Sequence, residues 1–362
     1  MKRYSKALAV SSASSAAALL RRGARGVLGA AIGAFALAAC GASGTPRTNG
    51  PVASPSPTAS PTAEAAAPAA RAAPKVAAGP VVRPTKKLTA AEARRYMVSL
   101  VNRDRATQGL APVELDEGPP TVAGQAHAED MARLGYLGHW GSDGSVPEQR
   151  HSEAGGSDMV LENALCFTDE AKRTLDAKPL IDPLQVERAE SMFFDEVPPN
   201  DGHRKNILRA SHTRIGIGVA QPVATATEIP VPCFAQELTD GYGTYTSIPK
   251  RAKVGTILHV EGTLAAGVRP SGVGLARIVK PAPIAASELN KRRSYPVPKP
   301  FQMYWGPGFV TPIPVTIDGT KLAVDVPLSD NAQPGMYEVS VWAKLPGETA
   351  HAMIGLRTIL VD

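Results

Sequence analysis

Two histidines and two glutamates stand out as the materials of one polar site: His139 in Gly138-His139-Trp140, Glu162 in Glu162-Asn163, Glu196, and His203 in Asp201-Gly202-His203-Arg204-Lys205-Asn206-Ile207-Leu208. Each lies beside apolar or glycine-rich sequence. Imidazoles and carboxylates together can bind a divalent metal, zinc first, and two histidines alone leave positions open for water or substrate. The histidines are 203 − 139 = 64 residues apart, so no local ligand spacing argues for the metal. The competing reading pairs each glutamate with a histidine simply to hold the fold. Nucleophilic-serine and metalloprotease chemistry have no support. Gly-x-Ser-x-Gly and His-Glu-x-x-His are both absent, and no serine or cysteine is tied by motif to either histidine.

The elements that must position these residues are legible from caps and periodicity. Asp182-Pro183 reads as a cap followed by proline at the first helical position, and Val186, Ala189, Met192 and Phe193 form its apolar face. Glu196 continues that face, and a carboxylate there is costly unless something pairs with it. Glu190, six residues earlier, is the competing partner. Asn200 or Asp201 is placed to cap the short helix that carries His203. Upstream, Thr89 and Glu92 form a capping box for a helix that Gly109 ends, and a second helix runs from Pro119-Pro120 to Leu134 and stops at Gly135. His127, inside it, reads as a packed or capping residue rather than a ligand. Residues 139–161 read as a long loop over the site with a short helix near Pro147, and Glu148, His151 and Glu153 as solvated, with contact to a ligand as the other reading. Thr168-Asp169-Glu170 reads as the start of another short helix, and 215–219 and 231–237 as strands.

The order His-Ala-Glu-Asp-Met (127–131), Gly-His (138–139), Asp-Gly-Ser-Val-Pro (143–147), Glu-Asn-Ala (162–164), Gly-His-Arg-Lys-Asn-Ile-Leu (202–208) and Ile-Gly-Ile-Gly-Val-Ala (215–220) resembles a bacterial member of the CAP superfamily. This is the cysteine-rich secretory, antigen 5 and pathogenesis-related-one group, also called SCP-like. The resemblance spans roughly 88–240. It departs from the family pattern at Leu161, where glycine is usual, and at Phe193, where tryptophan is usual. It implies an α/β fold of three α/β/α layers over 88–245 and a tetrad of His139, Glu162, Glu196 and His203, with His139 and His203 as the metal ligands. It also implies binding or signalling rather than one shared catalytic activity. The expected function is therefore a cleft that holds a lipid, glycan or peptide. The alternative is a metal-dependent hydrolase of peptide or cell-wall substrates, with Glu162 or Glu196 as base for a metal-bound water.

Residues 1–39 read as a signal peptide: a basic start, then an apolar run at 27–39 that is too short for a span of about 20 residues. Leu37-Ala38-Ala39-Cys40 resembles a lipobox, which implies acylation of Cys40 and a lipid anchor in the cell envelope. The anchor would sit on the outer side of the cytoplasmic membrane or in the outer membrane; an ordinary signal peptide would leave the protein secreted. The chain has 39 basic and 33 acidic residues, and 1–39 holds six basic and no acidic ones. The remainder, 39 less 6, balances 33 against 33, so no nucleic-acid partner is expected. With Cys40 lipidated, Cys166 and Cys233 form an even pair in an exported chain, either as a disulfide or as two buried thiols. A disulfide would close a loop of 233 − 166 = 67 residues, which chain entropy values at about 4 kcal/mol.

Residues 40–87, rich in Pro, Ala, Ser and Thr, read as a disordered tether. From 250 to 362 the pattern becomes one of short strands. Strand candidates lie at 253–263 and 275–279, a hairpin turns at Asp318-Gly319, and Tyr337, Val339, Val341 and Ala343 alternate with Glu338, Ser340, Trp342 and Lys344. This predicts a small β-sandwich of immunoglobulin-like type with no catalytic constellation. The aromatic and proline cluster at 295–309 reads as a covering loop, with a carbohydrate or partner surface as the other reading.

Overall fold

The computed structural model describes residues 80–226, 229–292 and 294–362, together with the backbone of 7–10. Except for those four residues, the segment 1–39 lies outside the described residues, as do Cys40 and most of the tether. No helix among the described residues is long and apolar enough to cross a membrane.

The first sheet has the order β1-β3-β5-β4-β2, from β1 (Ala7–Val10), β2 (Glu114–Leu115), β3 (Met159–Phe167), β4 (Arg214–Ala220) and β5 (Cys233–Asp240). Helices lie on both faces, and the sequence of β4 explains how. Ile215, Ile217 and Val219 point to one face and join Met97, Leu100 and Val101 of α1 (Ala90–Thr107) in a core shared with Val186 and Phe193 of α4 (Pro183–Phe194). Gly216 and Gly218 point to the other face, against α2 (Pro119–Leu134). A Cβ added at Gly218 would stand 2.0 Å from the Gly124 carbonyl oxygen, so α2 reaches the sheet only because no side chain intervenes. The cysteines are joined, Cys166 to Cys233, and staple β3 to β5 across a Cα separation of 4.5 Å.

Thr89 and Glu92 exchange the two bonds of a capping box at α1, and Gly135 adopts the left-handed conformation (φ +66°) that ends α2. Asp182 caps α4 through Leu184 N. Elsewhere the sequence-based expectation fails. Residues 168–182 form no helix. Asp169 accepts from Ala171 N and from Arg173 rather than capping, and the backbone donors find long-range acceptors instead, Glu170 N to Gly135 O and Asp176 N to Gln221 O. The loop expected at 139–161 is also not solvated. It holds α3 (Pro147–Glu153) and the start of β3, and Glu148 and His151 are each only 1% exposed; Glu153 alone of the three is exposed.

The remaining strands are β6 (Gly243–Tyr245), β7 (Arg251–Ala252), β8 (Ile257–Leu264), β9 (Arg269–Ile278), β10 (Gln302–Trp305), β11 (Thr316–Asp318), β12 (Lys321–Pro327), β13 (Gly335–Lys344) and β14 (Ala352–Val361). They form two sheets, β10-β9-β13-β14-β7 and β11-β12-β8-β6, around one core that includes Val260, Leu275, Val324, Val339 and Ile359. Asp318 pairs with Lys321, so the hairpin turns at Gly319-Thr320, one residue later than expected, with Gly319 at φ +58°. The polar face of β13 does not meet solvent: Glu338 and Ser340 are buried. That sheet packs on α3 and the segment after it, where Thr358 N donates to Ser152 Oγ (3.1 Å) and Leu356 N to Ser157 O (3.1 Å).

Candidate functional site

His139 follows the left-handed turn at the end of α2 and is buried. Its Nδ1 donates to Glu162 Oε1 at 2.9 Å, and Glu162 stands on the opposite wall, in the middle of β3. Arg150 of α3 donates to the other carboxylate oxygen, Oε2, at 2.6 Å and to the His139 carbonyl at 3.1 Å. Burial opposes ionisation of Glu162, but His127, Arg150 and His139 outweigh it and hold this carboxyl well below the usual range. His127 is not remote from the site. Its Nε2 donates to Gly138 O at 2.8 Å and lies 3.6 Å from Glu162 Oε1. Burial, then Arg150, pushes the His127 imidazole down to about 4, so it is neutral near pH 7.

The second pair is built differently from the sequence expectation. Glu196 lies past the end of α4, where Asp195 caps the helix and Pro198-Pro199 follow, so the helical face stops before it. From that turn its carboxylate takes two bonds: His203 Nδ1 at 2.7 Å and the His203 backbone N at 2.8 Å. It therefore does the capping of α5 (Gly202–Ile207) that Asn200 or Asp201 was expected to do; Asp201 instead accepts from Lys205 at 2.7 Å. Glu190 is not the partner of His203. It is buried under the sheet and accepts from Gln236 Nε2 at 2.6 Å. Burial, then Asp104, raises its carboxyl to about 8.

Amides tie the two pairs together. Asn163 donates to the His203 carbonyl (3.3 Å) and to Gln236 (2.9 Å), and Asn206 of α5 donates to Asn163 Oδ1 (2.9 Å). The imidazoles act on one another electrostatically, and burial followed by that neighbourhood lowers His203 despite Glu196. With each Nδ1–H committed to a carboxylate, each Nε2 carries a lone pair, and both Nε2 atoms are buried without a hydrogen-bond partner. Among the described residues no group of three or more His, Cys, Asp or Glu could hold a metal ion. The donors left for an ion at this centre would be the two Nε2 atoms of His139 and His203.

Arg150 and Glu237 belong to this site and carried no sequence signal of it. Glu237 faces Glu162 in the β3–β5 register and is buried; burial, then the Glu162 charge, pushes its carboxyl far up, so that it holds a proton beside the Glu162 carboxylate. The cluster at 295–309 divides in two. Tyr295 does cover the site: its hydroxyl donates to Glu148, its ring meets Trp140 edge-on at 5.0 Å, and it lines a small cavity with His139, Glu162 and Val297. Asn290, just past α6 (Ala286–Leu289), fastens the same segment by accepting from Leu137 N at 3.0 Å.

A sheet with helices on both faces and a polar centre of two carboxylate-held imidazoles defines a disulfide-stapled α/β domain organised around one site. Residues 98–223 match the CAP family, the cysteine-rich secretory protein family, and the chain carries a CAP superfamily domain. No curated protein matches the chain significantly.

Proposed function

We propose that this is an exported protein, anchored in the cell envelope by a lipid on Cys40, whose CAP domain binds a lipid, glycan or peptide beside a divalent metal. His139 and His203 hold the ion through Nε2, with zinc as the first choice, and the ion supplies a positive centre for a polar group of the ligand. The observation that carries this reading is the pair of buried, unpartnered Nε2 atoms, each aimed by a carboxylate on the far nitrogen. The C-terminal sheets are read as an immunoglobulin-like sandwich. A binding role is preferred to a hydrolase because Glu162 and Glu196 both accept from histidine Nδ1, which leaves neither free as general base for a bound water.

Calorimetry with zinc alone tests the centre. Zinc should bind the wild type, and His139→Ala and His203→Ala should each lose most of the affinity while their far-ultraviolet spectra stay unchanged. Folded histidine variants that bind zinc as the wild type does would sink the metal reading. Turnover of labelled peptide or peptidoglycan that a chelator abolishes would favour the hydrolase instead. Cys40→Ser should release the protein from the membrane fraction.

A further inference from the structure

The other half of the aromatic cluster has no part in the CAP site. Trp305 closes β10, and its ring lies 5.4 Å from Phe309 and 5.2 Å from His351, which are themselves 6.1 Å apart. Phe309 and His351 line a cavity of about 220 Å³ together with Ile317, and Trp305 packs against both rings without lining it. This is smaller than the roughly 300–1,000 Å³ of a drug-sized pocket and suits one ring-sized group. Phe309 is 55% exposed, so an apolar ring is held open to solvent at the mouth.

The charges at this cavity are one-sided. Arg269 opens β9 and Lys344 closes β13, and the register sets them directly opposite one another. Like charges in that position destabilise a sheet. No carboxylate lines the cavity, and neither cation makes a hydrogen bond or ion pair with another described residue. His351 adds a buried Nδ1 without a partner. Burial, then the Lys344 charge, lowers its imidazole, so the ring is neutral and free to accept or donate to a hydroxyl.

Aromatic rings at a cavity would suit a cationic ligand if the rim were acidic. Here the rim repels cations and attracts an anion. A nucleic-acid strand would need a succession of stacking rings along a basic groove, whereas this is a single cup. We propose that the cup of Phe309 and His351, backed by Trp305, binds one acidic sugar unit of a polysaccharide, its C–H face on the exposed Phe309 ring, its carboxylate toward Arg269 and Lys344, and a hydroxyl on His351 Nδ1.

Calorimetry on the full chain with tetragalacturonic acid, the neutral galactose tetramer and oligothymidylate tests this. The acidic tetramer should bind at least tenfold more tightly than the neutral one, and more weakly as salt rises. Phe309→Ala should weaken it at least tenfold with an unchanged unfolding midpoint, since that ring is largely exposed. Arg269→Gln and Lys344→Gln should each weaken it several-fold and flatten the salt dependence. The proposal is overturned if the acidic tetramer does not bind at millimolar concentration, if the neutral tetramer binds equally, if Phe309→Ala binds undiminished, or if oligothymidylate binds more tightly.

Discussion

Glu190 and Glu196 differ by six residues and by their whole electrostatic surroundings. Glu196 takes two hydrogen bonds from His203, whereas Glu190 is sealed in the core with one bond from Gln236 and an unpartnered Oε1. Its carboxyl is raised to about 8 in the fold against 4.5 in the free state. A raised folded value favours the native state below about 4.5, and that advantage is lost as pH climbs toward 8. Glu190→Gln should therefore gain stability over wild type as pH rises, on the order of 3 kcal/mol at pH 7 and nothing near pH 4.5. Urea unfolding at several pH values reads the difference, and a pH-independent difference would refute it. Arg150→Met should cost about 3–5 kcal/mol because it strands the Glu162 charge; adding Glu162→Gln should recover part of that, measured as a double-mutant cycle. The motifs around His139, Glu162 and His203 made those residues visible in the sequence. Arg150 and Glu237 stayed hidden because an isolated charge in a helix or strand does not say which side chain it will meet across the fold.

At the level of elements, local chemistry decided what could be read. Capping boxes, prolines at first turns and the left-handed glycine mark α1, α2 and α4 because those signals act within a few residues. Residues 168–182 carry a similar acidic start, yet their backbone bonds go to Gly135 and Gln221, partners that no local window contains. The Ile-Gly alternation of β4 was legible as a strand, but its purpose appears only in the packing. Gly218→Ala would push a methyl into the Gly124 carbonyl of α2, a contact at 2.0 Å between two backbones that cannot rotate aside. The loss should reach about 3 kcal/mol, the upper part of the usual overpacking range. Chemical denaturation should show the midpoint falling at constant slope, and a change under about 0.5 kcal/mol, the size of an ordinary surface substitution, would mean that α2 slides freely on the sheet.

Across the whole of the described structure, the alternating pattern of β13 was legible and its outer face was misread, because a polar face that packs on α3 looks in sequence like a polar face toward water. Glu338 on that face meets Glu148 of α3, with Tyr295 bonded to Glu148 and the Arg150 charge acting on Glu148. Burial, then the Glu148 carboxylate, pushes Glu338 up to about 10 from a free value of 4.5. Both acids resist ionisation, so the seam is sound when they hold protons. The native state then has its full advantage below about 4.5 and loses it as pH rises toward 10, by up to about 1.4 kcal/mol for each unit. Glu338→Gln keeps a neutral group that can donate to Glu148 and removes the proton that must be lost. The thermal midpoint of the full chain should fall from pH 6 to pH 9 more steeply in wild type than in Glu338→Gln, the two curves converging toward acid pH. Parallel curves would show that water reaches these carboxyls and that the seam is not the dry contact between sheet and α3 that the burial of Glu148 and Glu338 describes.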